Sequence, residues 1–191
     1  RRRCTDSVSV GMFPPRFFGY GSLVNRSTLA YPNIRQERIK GWARAWRHTE
    51  LREVAFLTAI RSPFSEIDGL SADVPDADWA ALDTREFAYD RVALDGLSNT
   101  VIYEIPEGKH SAASHAHPIL LSYLDVVVQG YLNEFGEAGA LLFFATTHGW
   151  DAPILNDRNA PRYPRHQTLS TFETEFVDDA LAALECTITG A

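Results

Sequence analysis

The chain has 191 residues, 45% of them hydrophobic and 23% charged, which is the balance of a folded domain and excludes disorder as its main state. A chain of this length buries roughly 70% of the surface its unfolded form exposes, so it needs no disulfide or metal staple to fold. The formal net charge of -7, from 25 acidic against 18 basic side chains, argues against a phosphate-rich partner, and no basic stripe interleaves the aromatic residues as nucleic-acid stacking would require.

Residues 1–11 open with Arg1-Arg2-Arg3, but no apolar signal segment follows. They read as a disordered upstream extension ahead of Met12, with 12–191 forming a single domain. Cys4 and Cys186 are the only cysteines, too few for a disulfide framework or a four-ligand zinc site, and this fits a cytoplasmic protein. Both lie outside the segments that read as core, which argues against a cysteine nucleophile. No run approaches the roughly 20 apolar residues of a membrane-spanning helix, so no membrane partner is expected.

The pattern predicts strands over Arg16–Tyr20, Gln36–Arg47, Val54–Arg61 and Ile67–Val74, with Gly69 marking a bend or bulge. Pro75, Asp76 and Asp78 give an acidic, proline-led start to a short helix over Asp76–Arg85. Strands resume at Phe87–Leu94 and Thr100–Ile105. About six strands around one short helix suggest a small closed or nearly closed sheet. Ile119–Phe135 then places Leu120, Leu124, Val128 and Leu132 at helical spacing, with Gly136 as a C-terminal stop. Ala138–Thr147 and Phe172–Leu184 read as two further helices, and Asp151–Gln167 as an ordered loop. The fold class is α+β.

Two segments carry the chemistry. In Phe18-Gly19-Tyr20-Gly21-Ser22-Leu23, two glycines bracket a tyrosine at a strand end, so the backbone can turn sharply and aim successive N–H groups at an anion. On these six residues alone, a plain glycine turn is the simpler account. In Leu82-Asp83-Thr84-Arg85-Glu86-Phe87-Ala88-Tyr89, Glu86 stands where a helix gives way to a strand, flanked by Phe87 and Tyr89. Burial there would raise its pKa, whereas the plainer alternative is a surface carboxylate paired with Arg85 or Arg91.

Taken together and in this order, the two motifs resemble the γ-glutamylcyclotransferase superfamily. The Phe-Gly-Tyr-Gly-Ser-Leu form is most similar to its ChaC-like branch, and Ile39-Lys40-Gly41-Trp42-Ala43-Arg44 resembles a strand of the family. The likeness covers residues 16–105 well and the helical remainder less specifically. It implies a small β-barrel with a helical C-terminal third, and a cofactor-independent, amide-cleaving enzyme of lyase or acyltransferase type. By motif position, Tyr20, Gly21, Ser22 and Leu23 would hold a γ-glutamyl group, Glu86 would move protons, and Tyr89 would line the pocket. The sequence departs from the family at Phe87-Ala88, where relatives often carry glycine, and this puts the pocket shape in question.

The chemistry implied is closure of a five-membered lactam. The α-amine of a γ-glutamyl peptide or amide (glutathione being the first to consider) attacks its own γ-carbonyl, releasing 5-oxoproline and an amine. The nucleophile is tethered, so the site mainly fixes the folded conformer and moves two protons, which one carboxylate can do in turn. No metal or other cofactor is called for.

A third constellation, Asn156-Asp157-Arg158-Asn159-Ala160-Pro161-Arg162-Tyr163-Pro164-Arg165, could grip a carboxylate and offers Arg158, Tyr163 and Arg165 as pocket residues. A loop that packs over the sheet and pairs Asp157 internally is an equal alternative. His110, His115 and His117 sit in a small-residue linker with no neighbouring cysteine or carboxylate, and read as solvated. Two rival functions stay open: a non-catalytic module binding a small metabolite or a protein on the same fold, and acyl transfer or hydrolysis of another γ-glutamyl amine. The leaving group and the oligomeric state are not legible.

Overall fold

Phe17 and Phe18 are adjacent in sequence and both fully buried, because strand β1 (Arg16–Gly19) sends them to opposite faces of a sheet covered on both sides. The computed structural model describes residues 13–112 and 117–190; Cys4, His115 and the extension expected over 1–11 lie outside the described residues. After β1 come β2 (Arg35–His48), β3 (Phe56–Asp73), α1 (Ala80–Arg85), β4 (Asp90–Ala93), β5 (Thr100–Glu104) and β6 (Ser111–Ala112). The remainder holds β7 (Ile119–Leu120), α2 (Leu121–Ala145), β8 (Thr147–His148), β9 (Ile154–Asn156), α3 (Thr171–Ala183) and β10 (Ile188–Gly190).

The main sheet has the order β4-β5-β1-β3-β2-β6, with β8 also pairing β2, while β10-β9-β7 form a small second sheet. β1 runs antiparallel to β3 and parallel to β5. The sheet is not closed into a barrel, which corrects the expected closure. β4 is four residues long with three of them exposed, and β6 has only two residues, so neither edge presents a ladder long enough to meet the other. The two strands expected at Val54–Arg61 and Ile67–Val74 are one strand, β3. Its register against β2 slips between Lys40 and Trp42, where Ser62-Pro63-Phe64-Ser65 bulges out and the ladder then resumes.

α2 lies across one face of the sheet. Leu124, Val127, Val128 and Tyr131 join Phe18, Trp46, Leu57 and Ile102 in the larger core, and α3 adds Val177, Ala180 and Leu181 behind. The other face carries a smaller core of Phe17, Leu23, Ala72, Leu82 and Tyr103, which seats α1. Gly136 has φ +69 inside α2, so the helix breaks where the stop was expected and a second segment continues to Ala145. The short helix is corrected at its start: Asp76 and Ala77 are left-handed, and α1 begins only at Ala80.

Arg44 is the largest buried charge in this frame, 1% exposed between sheet and helix. Its guanidinium donates to the Tyr131 hydroxyl (2.7 Å), to Thr147 Oγ1 (3.0 Å) and to Thr146 Oγ1. It also lies against the Phe143 ring, 4.8 Å from the centroid, near the carbonyl end of α2. Cys186 packs half-buried against the main core, contrary to expectation, and burial pushes its thiol up, so it is a poor nucleophile. No helix among the described residues is long and apolar enough to cross a membrane.

Candidate active site

β1 ends at Gly19, and the chain then turns through Tyr20 and Gly21 into a one-turn 3-10 helix at Ser22–Val24. Inside that turn Val24 N–H donates to Gly21 O, so the amides of Ser22 and Leu23 have no partner within it. The turn is pinned from two sides. A Cβ on Gly21 would lie 2.7 Å from the Tyr123 hydroxyl of α2, and one on Gly130 of α2 would lie 2.8 Å from Asn25 N. Asn25 fastens the same contact through its side-chain amide, which donates to Val126 O and Gln129 Oε1, both at 2.9 Å.

Glu86 closes α1 as its C-terminal cap, where φ -101 and ψ 37 end the helix and aim the side chain back toward the glycine turn. The strand expected over Phe87–Leu94 starts only at Asp90, because Tyr89 N–H donates to Glu86 O in a tight turn. The Glu86 side chain is 15% exposed and faces Arg85, whose Nε lies 3.4 Å from Oε1. It accepts no hydrogen bond among the described residues. Burial pushes its carboxyl above the ordinary range, against the opposing pull of Arg85, Arg52 and Arg165. The plain alternative of a surface ion pair is thus replaced by a buried one. Arg85 is itself only 8% exposed and donates to Ser22 Oγ, Thr28 O and Thr28 Oγ1, stitching α1 to the turn.

Two recesses meet at Glu86. The inner one, about 20 Å³, is lined by Phe18 to Leu23 with Leu57, Tyr89, Tyr103 and Tyr123. The outer one, about 370 Å³, shares Ser22, Glu86, Tyr89 and Tyr123 and adds Arg52, Phe56, Phe87, Tyr163 and Arg165. Tyr20 donates to Tyr103 O (2.5 Å), and its oxygen also faces the Ala59 amide and Thr58; Tyr89 donates to Leu57 O (2.7 Å), so its phenol oxygen keeps lone pairs free. Burial pushes Tyr20, Tyr89 and Tyr123 up, with the Glu86 charge adding to it, and all three stay protonated.

The loop over 156–165 is held by Asp157, which is 1% exposed. It accepts from Ser122 N–H (2.8 Å), Ser122 Oγ (2.6 Å) and Arg162 N–H (2.8 Å), at the N-terminus of α2 where a carboxylate is favoured. The internal pairing of Asp157 therefore holds, and it also delivers Tyr163 and Arg165 to the outer cavity. Tyr163 packs edge-on against Tyr123, 5.0 Å between ring centres. Arg158 is the exception among the expected pocket residues: it grips Asp125 bidentately at 2.8 Å and Asp178 at 2.7 Å, and lines neither recess.

The sequence motifs bring Tyr20, Gly21, Ser22, Leu23, Glu86 and Tyr89 together around one point. They miss Arg52, Arg85 and Tyr123. Tyr123 had a signal, since a buried tyrosine in an apolar stripe needs a partner for its hydroxyl. Arg52, in the β2–β3 connection, had none. Of the linker histidines, His117 stacks on His48, ring centres 3.4 Å apart, and no three potential ligands gather as a metal set among the described residues.

No protein-family model matches the sequence, and no curated protein matches it either. Solved structures do. A γ-glutamyl cyclotransferase superposes with TM-score 0.50 at 15% identity, covering 86% of this chain and 98% of that one. The uncharacterized human protein loc79017 gives 0.51 at 14%, over 85% and 97%. YkqA from Bacillus subtilis gives 0.50 at 14%, over 71% of this chain, which spans 56% of the length of YkqA. At such identity the likeness speaks for the fold alone, and on that ground the chain has the γ-glutamyl cyclotransferase fold.

Proposed function

We propose that the protein is a γ-glutamylcyclotransferase of the ChaC-like kind, which cyclises a γ-glutamyl peptide or amide to 5-oxoproline with Glu86 as both general base and general acid. The observation that carries the reading is a buried carboxylate with no hydrogen-bond donor of its own, set against the glycine turn where two recesses meet. A carboxylate kept for structure is normally saturated with donors; one left open awaits a proton.

The steps balance without a cofactor or water. Glu86 takes a proton from the substrate ammonium, and the phenol oxygen of Tyr89 supplies an acceptor for a proton that remains. The freed amine adds to the γ-carbonyl, forming the ring C–N bond and an oxyanion. The amides of Ser22 and Leu23 support that oxyanion or the substrate carboxylate. Glu86 then returns its proton to the departing nitrogen as the original amide C–N bond breaks, and the restored carboxylate takes the second proton from the ring nitrogen and passes it to the released amine, which leaves as an ammonium. Its raised pKa suits this double role, because neither transfer is then steeply uphill.

The test is product analysis on glutathione and a panel of γ-glutamyl dipeptides and amines. Release of 5-oxoproline is expected. Release of free glutamate would mean hydrolysis, and binding without turnover would leave the fold with a non-catalytic role.

A further inference from the structure

Most arginines of known pairing in this chain spend their charge inside it: Arg16 on Asp73, Arg26 on Glu134, Arg38 on Asp68, Arg158 on Asp125 and Asp178. Arg52 and Arg165 do not. Both line the outer cavity, and neither enters an ion pair among the described residues. Arg52 is held in place all the same. Its guanidinium lies 4.3 Å from the Phe56 ring centre and 4.2 Å from that of Phe87, and its buried Nε has no hydrogen-bond partner. A buried donor left open on a side chain fixed by two rings is a site built for an absent acceptor. Phe87, otherwise an exposed aromatic at 56%, is explained by the same contact. Arg165 comes from a separate segment, the loop that Asp157 fastens to α2.

Resting on the γ-glutamyl reading above, the geometry points to an anion subsite at Arg52 and Arg165 that receives a carboxylate on the leaving group. With the γ-glutamyl part at Glu86 and the turn, the rest of the 370 Å³ cavity takes the leaving group, and these two cations line that outer cavity and not the inner recess. The subsite selects γ-glutamyl amino acids and short peptides with a free carboxylate over γ-glutamyl amines and amides without one. A planar guanidinium suits that task, since it offers parallel N–H donors to both carboxylate oxygens.

The experiment compares γ-glutamylalanine with γ-glutamylalanine amide, on the wild type, Arg52→Gln, Arg165→Gln and Arg165→Lys, with unfolding midpoints recorded for each. The wild type is expected to favour the free acid by about tenfold or more in kcat/KM, a ratio that falls toward unity in both Gln variants and partly survives in Arg165→Lys. Because Arg165 is exposed, its variants report even if Arg52→Gln disturbs the aromatic contacts. A wild-type ratio near unity, a ratio unchanged by both substitutions, or an equal loss on both substrates would overturn the proposal; the last would place the arginines on the γ-glutamyl group itself. Should neither compound turn over, the catalytic reading fails separately, and calorimetric binding of the same pair decides the subsite. Preference for the free acid that vanishes in Arg165→Gln sustains it, and no preference ends it.

Discussion

The seat of Arg44 and the recess around Glu86 each bury a charge against α2 and the sheet, yet they are built in opposite ways. Around Arg44 the protein supplies oxygens: the Tyr131, Thr146 and Thr147 hydroxyls, the Phe143 carbonyl near the end of α2 and the Asp68 carbonyl of β3. Around Glu86 it supplies empty space, tyrosines whose protons point elsewhere, and one guanidinium at 3.4 Å that is already committed to Ser22 and Thr28. Burial acts against the charge in both places, pulling the Arg44 pKa down and pushing that of Glu86 up. Saturation marks a charge that holds the fold together. Its lack leaves Glu86 open for the proton transfers proposed for it, at a cost that the rest of the fold sustains.

The contrast can be broken most forcefully at Arg44. Arg44→Ala removes a large buried side chain and strands the hydroxyls that faced it, so urea unfolding should show a loss of about 3–5 kcal/mol. Asp157→Ala comes next. It leaves three donors, two of them buried on Ser122, without their acceptor, costing about 2–3 kcal/mol, and it should raise KM because Tyr163 and Arg165 lose their anchor. Gly21→Ala drives a methyl to 2.7 Å from the Tyr123 hydroxyl, for about 1–3 kcal/mol and about a tenfold fall in turnover as the site shifts.

Glu86→Gln has the smallest effect on stability and the opposite sign. The raised folded pKa means the native state binds a proton that the unfolded state has already released, so ionised Glu86 destabilises the fold above that pKa. The Gln variant should therefore unfold at a higher temperature than wild type near neutral pH. Its advantage should fade as pH falls through the raised pKa to the ordinary carboxylate range, where both proteins carry a neutral side chain. An advantage independent of pH would mean that Glu86 is not a buried acid.

The sequence was most legible where one physical signal acted alone. Arg16–Tyr20 reads as a strand from its aromatic run and is one over Arg16–Gly19, Phe172–Leu184 reads as a helix from its apolar face and is one over Thr171–Ala183, and Gly136 reads as a helix stop because a glycine turns there freely. It was least legible where a local signal and a tertiary contact disagreed. Ser62-Pro63-Phe64-Ser65 has the composition of a turn, yet pairing with β2 resumes beyond it and makes β3 one strand. Asp76 resembles a helix start but adopts a left-handed conformation, and α1 begins four residues downstream at Ala80. The same split runs through the site. The two motifs carried Tyr20–Leu23 and Glu86, whereas Arg52 reaches the cavity only through the β2–β3 connection, and Arg158, equal to Arg165 in sequence, is claimed by Asp125 once α2 is in place.

The account rests on Glu86 carrying both proton transfers, and the most direct test is the rate of 5-oxoproline release from an accepted γ-glutamyl substrate, followed from acid to neutral pH for wild type and Glu86→Gln. The wild-type rate should fall as pH drops through the raised pKa of Glu86, since the protonated acid cannot deprotonate the ammonium. Glu86→Gln, folded and at least as stable, should be slower by about 10²–10⁴-fold throughout, with that inflection gone. A folded Glu86→Gln protein at full turnover, or a wild-type rate flat across the range, would contradict it.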